Sequence, residues 1–144
     1  MPVTAPLRDE CHCFAVRAAA RHVTQFYDAL LAPSGLRTTQ YSILAKLKRL
    51  GPLTINVLAK EMVMDRTTLG RNILPLERDG LISIAPAPSD RRAKELHLTE
   101  AGEGRLGLAG RGWLKAQRRF EAAFGGARTG ELRALLKTLV ASDL

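Results

Sequence analysis

The 144-residue chain holds only two cysteines, Cys11 and Cys13, set within the short stretch ECHCF. Two thiols so close together cannot supply the disulfide framework of a small secreted domain, so the chain reads as a reduced protein. No apolar run approaches the ~20 residues of a membrane-spanning helix. The opening MPVTAPLRDECHCF lacks the hydrophobic centre of a signal peptide. These absences point to the cytoplasm. Also missing are a nucleophile elbow, a phosphate-binding glycine loop and a metal triad, so neither an enzyme nor a cofactor site is expected. The histidines His12, His22 and His97 show no metal-ligand spacing, and no metal is expected. Acidic residues are scarce, 14 against 22 basic, which leaves a net charge of +8.

What is plentiful is positive charge and core-forming material. Hydrophobic residues make up 46% of the chain, enough for one domain or one compact subunit. A small basic protein is expected to meet a polyanion, either nucleic acid or an acidic membrane surface. The bland alternative is that the charge only aids solubility.

The periodicity is mostly helical. Residues 1–8 read as a loose arm. From about Asp9 to Ala32, Cys13, Val16, Ala20, Val23, Tyr27 and Leu30 recur at steps of three and four. APSGL (32–36) ends that helix. A second helix is expected over Thr39–Leu50, capped by Thr38 or Thr39 and stopped by Gly51-Pro52. Thr54 can cap a short third helix, and Asp65 a fourth that runs to about Asp79 and ends at Gly80. LISIA (81–85) and KELHL (94–98) alternate like strands, which places His97 on the exposed side. The loop 86–93 between them carries Arg91 and Arg92. Helices follow over about Glu100–Phe124 and Gly130–Ala141, with GGARTG (125–130) as the break. The expected fold is mainly α with a small β-hairpin wing.

Residues 54–98 therefore outline a winged helix-turn-helix, whose second helix would lie in a DNA major groove. On that helix Leu69, Ile73 and Leu76 face one way, and Thr67, Arg71 and Arg78 the other. Gly70 lies beside Thr67, where a side chain would hold the backbone off a groove. Arginine can donate two hydrogen bonds to guanine, and threonine can bond phosphate or pack on a thymine methyl. The helix start, with free N–H groups at Arg66, Thr67 and Thr68, favours a phosphate. A wing bearing Arg91, Arg92 and Lys94 can enter a minor groove. Pro75 leaves the Arg71 carbonyl without its helical partner. The helix is expected to continue past it with a kink that either angles the reading turn or is merely tolerated.

The stretches LAKEMVMDRTTLGRNILPLERDGLI and PSDRRAKELHLTEAG resemble the signature of MarR-family transcriptional regulators. The matching positions are Leu58-Ala59, Leu76-Glu77, Gly80-Leu81, Asp90-Arg91-Arg92 and Leu98-Thr99 with Gly102. The resemblance implies a homodimer built from both chain ends, over 1–53 and 99–144, around a DNA lobe at 54–98. It implies a palindromic operator, and repression relieved by a small aromatic or phenolic ligand or by oxidation. By position Thr67, Thr68, Gly70 and Arg71 match the reading helix, and Arg91 and Arg92 the wing. Asp90 is expected to brace the wing by pairing with an arginine. Apolar faces at Val16, Val23 and Leu30, and at Leu132, Leu135, Leu136 and Leu139, fit burial in a dimer.

The resemblance also places a ligand pocket between the dimer helices and the DNA lobe, with Arg21, His22, Phe26 and Tyr41 as candidates. The thiols Cys11 and Cys13 offer an alternative, a redox-sensing regulator of the same fold. On a helix they point ~200° apart and cannot bond to each other; in an extended segment they can. Cys13 also lies on the apolar stripe, where it would be a small core residue. Five glycines, Gly102, Gly104, Gly107, Gly110 and Gly112, crowd one helix. Gly104, Gly107 and Gly110 line up at three-residue steps, and the set reads either as coding bias, or as a groove for a close helix or a soft hinge. A non-DNA reading, a basic partner- or membrane-surface-binding helical protein, would need a helix with one cationic and one bulky apolar face. No helix here separates its residues that way.

Overall fold

The computed structural model describes residues 10–144, so the arm expected over 1–8 lies outside the described residues. In chain order the elements are α1 (His12–Leu31), α2 (Thr38–Leu50), β1 (Leu53–Thr54), α3 (Ile55–Met62), α4 (Arg66–Arg78), β2 (Ile82–Ala87), β3 (Asp90–Leu98), α5 (Glu100–Phe124) and α6 (Gly126–Ala141). A single 3-10 turn over Ala32–Ser34, closed by Gly35 at φ 77°, links α1 to α2.

The expected capping residues Thr54 and Asp65 do cap α3 and α4. The Thr54 hydroxyl accepts from Val57 N–H at 3.3 Å, and Asp65 Oδ1 accepts from Thr68 N–H at 2.8 Å. The start of α2 is held differently from expectation. Arg37 occupies the cap, its N–H donating to Gln40 Oε1 at 2.9 Å. Asp28 of α1 accepts from both the N–H and the hydroxyl of Thr38, each at 2.7 Å. A tertiary carboxylate thus does what a local hydroxyl was expected to do, and pattern within one helix cannot reveal it. α4 runs unbroken through Pro75.

The wing is larger than its alternation foretold. Strand pairing extends through most of 86–93, leaving only Pro88 and Ser89 as the turn. Pro86 pairs with Lys94, and a bulge follows between Pro86 and Ala87. Arg91 and Arg92 therefore sit on β3 rather than in a loop. A two-residue strand, β1, adds to the other side of β3, so the sheet is three-stranded in the order β1-β3-β2. Leu53 and Ile84 both pair with Leu96, which is fully buried. Two residues are too few for alternation to show, which is why β1 escapes a sequence reading. The last helix also starts early. Gly125 alone, at φ 101°, makes the break, and α6 begins at the next residue.

One core joins the elements. Leu69, Ile73 and Leu76 from α4 pack with Ile43, Leu44 and Leu47 of α2, Leu58 of α3 and Leu96 of β3. The long helix α5 crosses this core at Ala109 and approaches its neighbours closely at two glycines. A Cβ on Gly102 would stand 2.1 Å from the Leu81 carbonyl oxygen, and one on Gly112 would stand 2.1 Å from that of Leu30. Gly104, Gly107 and Gly110, the positions aligned for a close groove, have nothing within 4 Å. Close approach thus falls on the two flanking glycines instead.

Cys13 departs from its expected place in the core. It is exposed on the first turn of α1, as is Cys11, which caps that helix. The stripe it shares with Val16 and Ala20 is exposed as well, so among the described residues nothing packs on this end of α1.

Candidate nucleic-acid interface and effector cleft

Two loops fix α4 against the core. Val63, in the left-handed conformation at φ 54° and ψ 47°, turns the chain from α3 into α4. Gly80, at φ 72°, ends α4. Between them the three buried leucine and isoleucine side chains hold one side inward. The opposite side presents Arg66, Thr67, Arg71 and Arg78 to solvent.

Asp65 organises the start of this helix. Its carboxylate takes the N–H of Thr68 and, through Oδ2 at 2.9 Å, the Thr68 hydroxyl. These hydrogen bonds, the backbone one first, hold the carboxyl below its ordinary 3.8. Thr68 consequently uses its hydroxyl proton inside the protein, whereas Thr67 is exposed. Gly70 is half-buried, with empty space where a side chain would stand.

The wing lies beside the same end of α4. Arg66, Arg92 and Lys94 line one recess of about 220 Å³ together with Asp90 and the start of α3. Arg91, Arg92 and Lys94 are all exposed. Asp90 braces the turn by a route other than the expected ion pair: its Oδ1 accepts the backbone N–H of Arg92 at 3.0 Å. A side chain this short reaches its own strand two residues on more readily than a mobile guanidinium. Among the described residues no carboxylate pairs with Arg66, Arg71, Arg91, Arg92 or Lys94. His97 is half-buried rather than fully exposed, and its Nε2 lies 2.9 Å from Glu95 Oε1 on the same strand.

A second concavity, about 570 Å³, opens between α1, α2 and α5. Tyr41 stacks on Trp113 there, with ring centres 6.1 Å apart and planes 20° from parallel. The Tyr27 hydroxyl donates to Gln117 Oε1. Burial raises the pKa of both tyrosines, with Glu121 adding to the rise at Tyr27, so both keep their protons at neutral pH. Lys46 and Arg49 supply positive charge at the rim. Of the four residues expected at a pocket, only Tyr41 lines this cleft. Arg21 and His22 are exposed on α1, and Phe26 packs edge-on against Tyr27 at 5.7 Å. The inward face of α1 runs through Val23 and Tyr27, about one helical step away from Arg21 and His22. Trp113, Tyr27, Lys46 and Arg49 escaped sequence reasoning because they come from three helices with no shared motif.

Residues 36–94 match the family model described as the MarR family. The transcriptional regulator MosR of M. tuberculosis, solved in complex with DNA, is 36% identical over 91% of this chain and 94% of that one, with a TM-score of 0.83. An organic hydroperoxide resistance transcriptional regulator of Bacillus subtilis is 30% identical over 90 residues, which are 62% of this chain and 61% of that protein. A mutant MarR of E. coli complexed with operator DNA shares the fold, with a TM-score of 0.82 over 94% of this chain and 99% of that one at 18% identity.

Proposed function

This chain belongs to the MarR family of DNA-binding transcriptional regulators, and from that premise we propose that it represses transcription as a two-fold dimer on a palindromic operator. Each subunit lays α4 in a major groove and its β2–β3 wing along the adjoining backbone or minor groove, with segment 54–98 as the DNA lobe and both chain ends as the dimer base. The observation that carries this is the unpaired cationic face. Arg66 of α4 shares a recess with Arg92 and Lys94 of the wing. Arg71 and Arg78 lie exposed further along α4, and Arg91 lies exposed on the wing. None of the six is neutralised among the described residues except Arg78, 3.6 Å from Asp79. Arg71→Ala should cost about 1–3 kcal/mol of operator binding and relax base preference. Arg92→Ala should weaken binding evenly across sequences and reduce the salt slope by about one unit. Fluorescence anisotropy on an operator selected from genomic fragments measures both; wild-type binding by both variants would refute the interface.

The effector proposed first is a small aromatic anion in the α1–α2–α5 cleft. Its ring would pack beside Tyr41 and Trp113, and its charge would meet Lys46 or Arg49. Trp113 is the only tryptophan, so occupancy should change the intrinsic fluorescence at the concentrations that release DNA. A second reading rests on the exposed thiols. Cys11 is extended, at φ −75° and ψ 114°, while Cys13 is already helical. A hydroperoxide could oxidise the pair to a disulfide, leaving an alcohol and water, only if the first turn of α1 unwinds. The name of the B. subtilis relative, which concerns organic hydroperoxide resistance, supports testing it. Release by hydroperoxide that disappears in Cys11→Ser and Cys13→Ser selects the thiol reading. Release by aromatic carboxylates with a Trp113 signal selects the cleft.

A further inference from the structure

One side chain on the outer stripe of α4 has no part in the chemistry above. Thr67, Gly70, Arg71, Leu74 and Arg78 follow at steps of three and four and share one helix face. Leu74 is 66% exposed. The core beneath α4 is already filled by Leu69, Ile73 and Leu76, each buried, so Leu74 adds nothing to it. Gly70 stands one turn before Leu74. Its backbone is not in the left-handed region, and an added Cβ would meet nothing within 4 Å. The fold therefore has no need of glycine there, although a glycine inside a helix is destabilising. Bare backbone at Gly70 and an isobutyl group at Leu74 form an apolar notch, flanked by the guanidinium groups of Arg71 and Arg78.

In a major groove the apolar feature of a base edge is the C5-methyl of thymine. We propose that Leu74 is a specificity-determining residue that packs on a thymine methyl in each half-site, with Gly70 allowing the helix to approach closely enough. Leu74 lies about 4.5 Å along the helix axis from Arg71. With about 3.4 Å per base step, the thymine falls one or two base pairs from the pair that Arg71 reads. The inference rests on α4 occupying the major groove.

Replacing operator thymines one at a time by deoxyuridine removes the methyl and leaves base pairing intact. The wild-type dimer should lose about three- to fivefold in affinity per half-site at one symmetric position, the worth of one buried methyl-sized group. Leu74→Ala should lose a similar factor on the thymine operator, be indifferent to deoxyuridine at that position, and keep the wild-type salt slope. The substitution sits on an exposed face, and an unchanged melting temperature will show that the fold is kept. The inference is overturned if Leu74→Ala binds as wild type, or if it remains as sensitive to deoxyuridine as wild type at every position. Arg71→Ala separates the two levels: if it weakens binding while Leu74→Ala does not, only this inference fails. If neither variant weakens binding, the groove placement of α4 fails with it.

Discussion

At the scale of single residues, α3 and α4 close alike with unlike residues. After α4 the N–H of Leu81 donates to the Leu76 carbonyl at 2.9 Å, with Gly80 supplying the positive φ. After α3 the N–H of Met64 donates to the Ala59 carbonyl, also at 2.9 Å, but there the left-handed residue is Val63. A β-branched side chain at φ 54° is strained, at roughly 1–2 kcal/mol, and Val63 is 70% exposed, so packing returns little. Val63→Gly should therefore raise unfolding stability by about 1 kcal/mol, after part of the gain is lost to the freer unfolded chain. Urea denaturation checks this; a lower midpoint would mean that the valine is held by contacts outside the isolated subunit. The turn was legible in the sequence because Asp65 announces the next helix. The strain was not, since Val63 carries no turn signature.

At the scale of elements, α5 is the member whose behaviour depends on where its glycines fall. Gly102 rests against the Leu81 carbonyl and Gly112 against that of Leu30, so α5 is clamped to the junction of α4 and β2 near its start and to α1 near its middle. The span between the clamps holds Gly104, Gly107 and Gly110, all facing open space. Gly112→Ala should force α1 and α5 apart and destabilise the protein by at least about 1–3 kcal/mol. Gly107→Ala should stabilise it by about 0.5–1 kcal/mol. Thermal melts separate the two. The Gly107→Ala protein also tests whether this span acts as a hinge: unchanged effector release with a raised Tm would show that its softness carries no signal. Spacing alone had favoured Gly104, Gly107 and Gly110 for close packing. The order reverses because contact is set by which neighbour crosses α5 and where, which no periodicity within α5 records.

At the scale of the molecule, much apolar surface remains uncovered on α6 and at the start of α1. α6 has no buried residue; Leu135 is 68% exposed and Val140 63%, with Leu136 and Leu139 also open. Phe14 and Val16 on α1 are exposed too. Exposed apolar surface of this extent marks an association surface, and a two-fold dimer would cover it on both copies at once. Light scattering at micromolar concentration should return twice the 15.7 kDa chain mass. Leu135→Glu with Leu139→Glu should return the single mass and weaken operator binding, because half-sites about 10 bp apart need two reading helices. A dimer that survives both changes would place the contact elsewhere.

The sequence by itself determined the helical majority, the Asp65-capped helix α4 and the cationic wing, because each is written in local signals: a 3.6-residue apolar period, an Asp or Thr before it, a glycine after it, and arginines in the hairpin. It also carried the MarR signature through to its consequence, a DNA-binding regulator. Only the tertiary structure decided that Asp28 holds the start of α2, that β1 completes the sheet, that Cys13 is exposed, and that the cleft is lined by Tyr27, Tyr41, Trp113, Lys46 and Arg49. The physical reason is common to all four. Each depends on contact, or on the lack of it, between segments far apart in the chain, and contact is set by how helices cross rather than by the order of residues along any one of them.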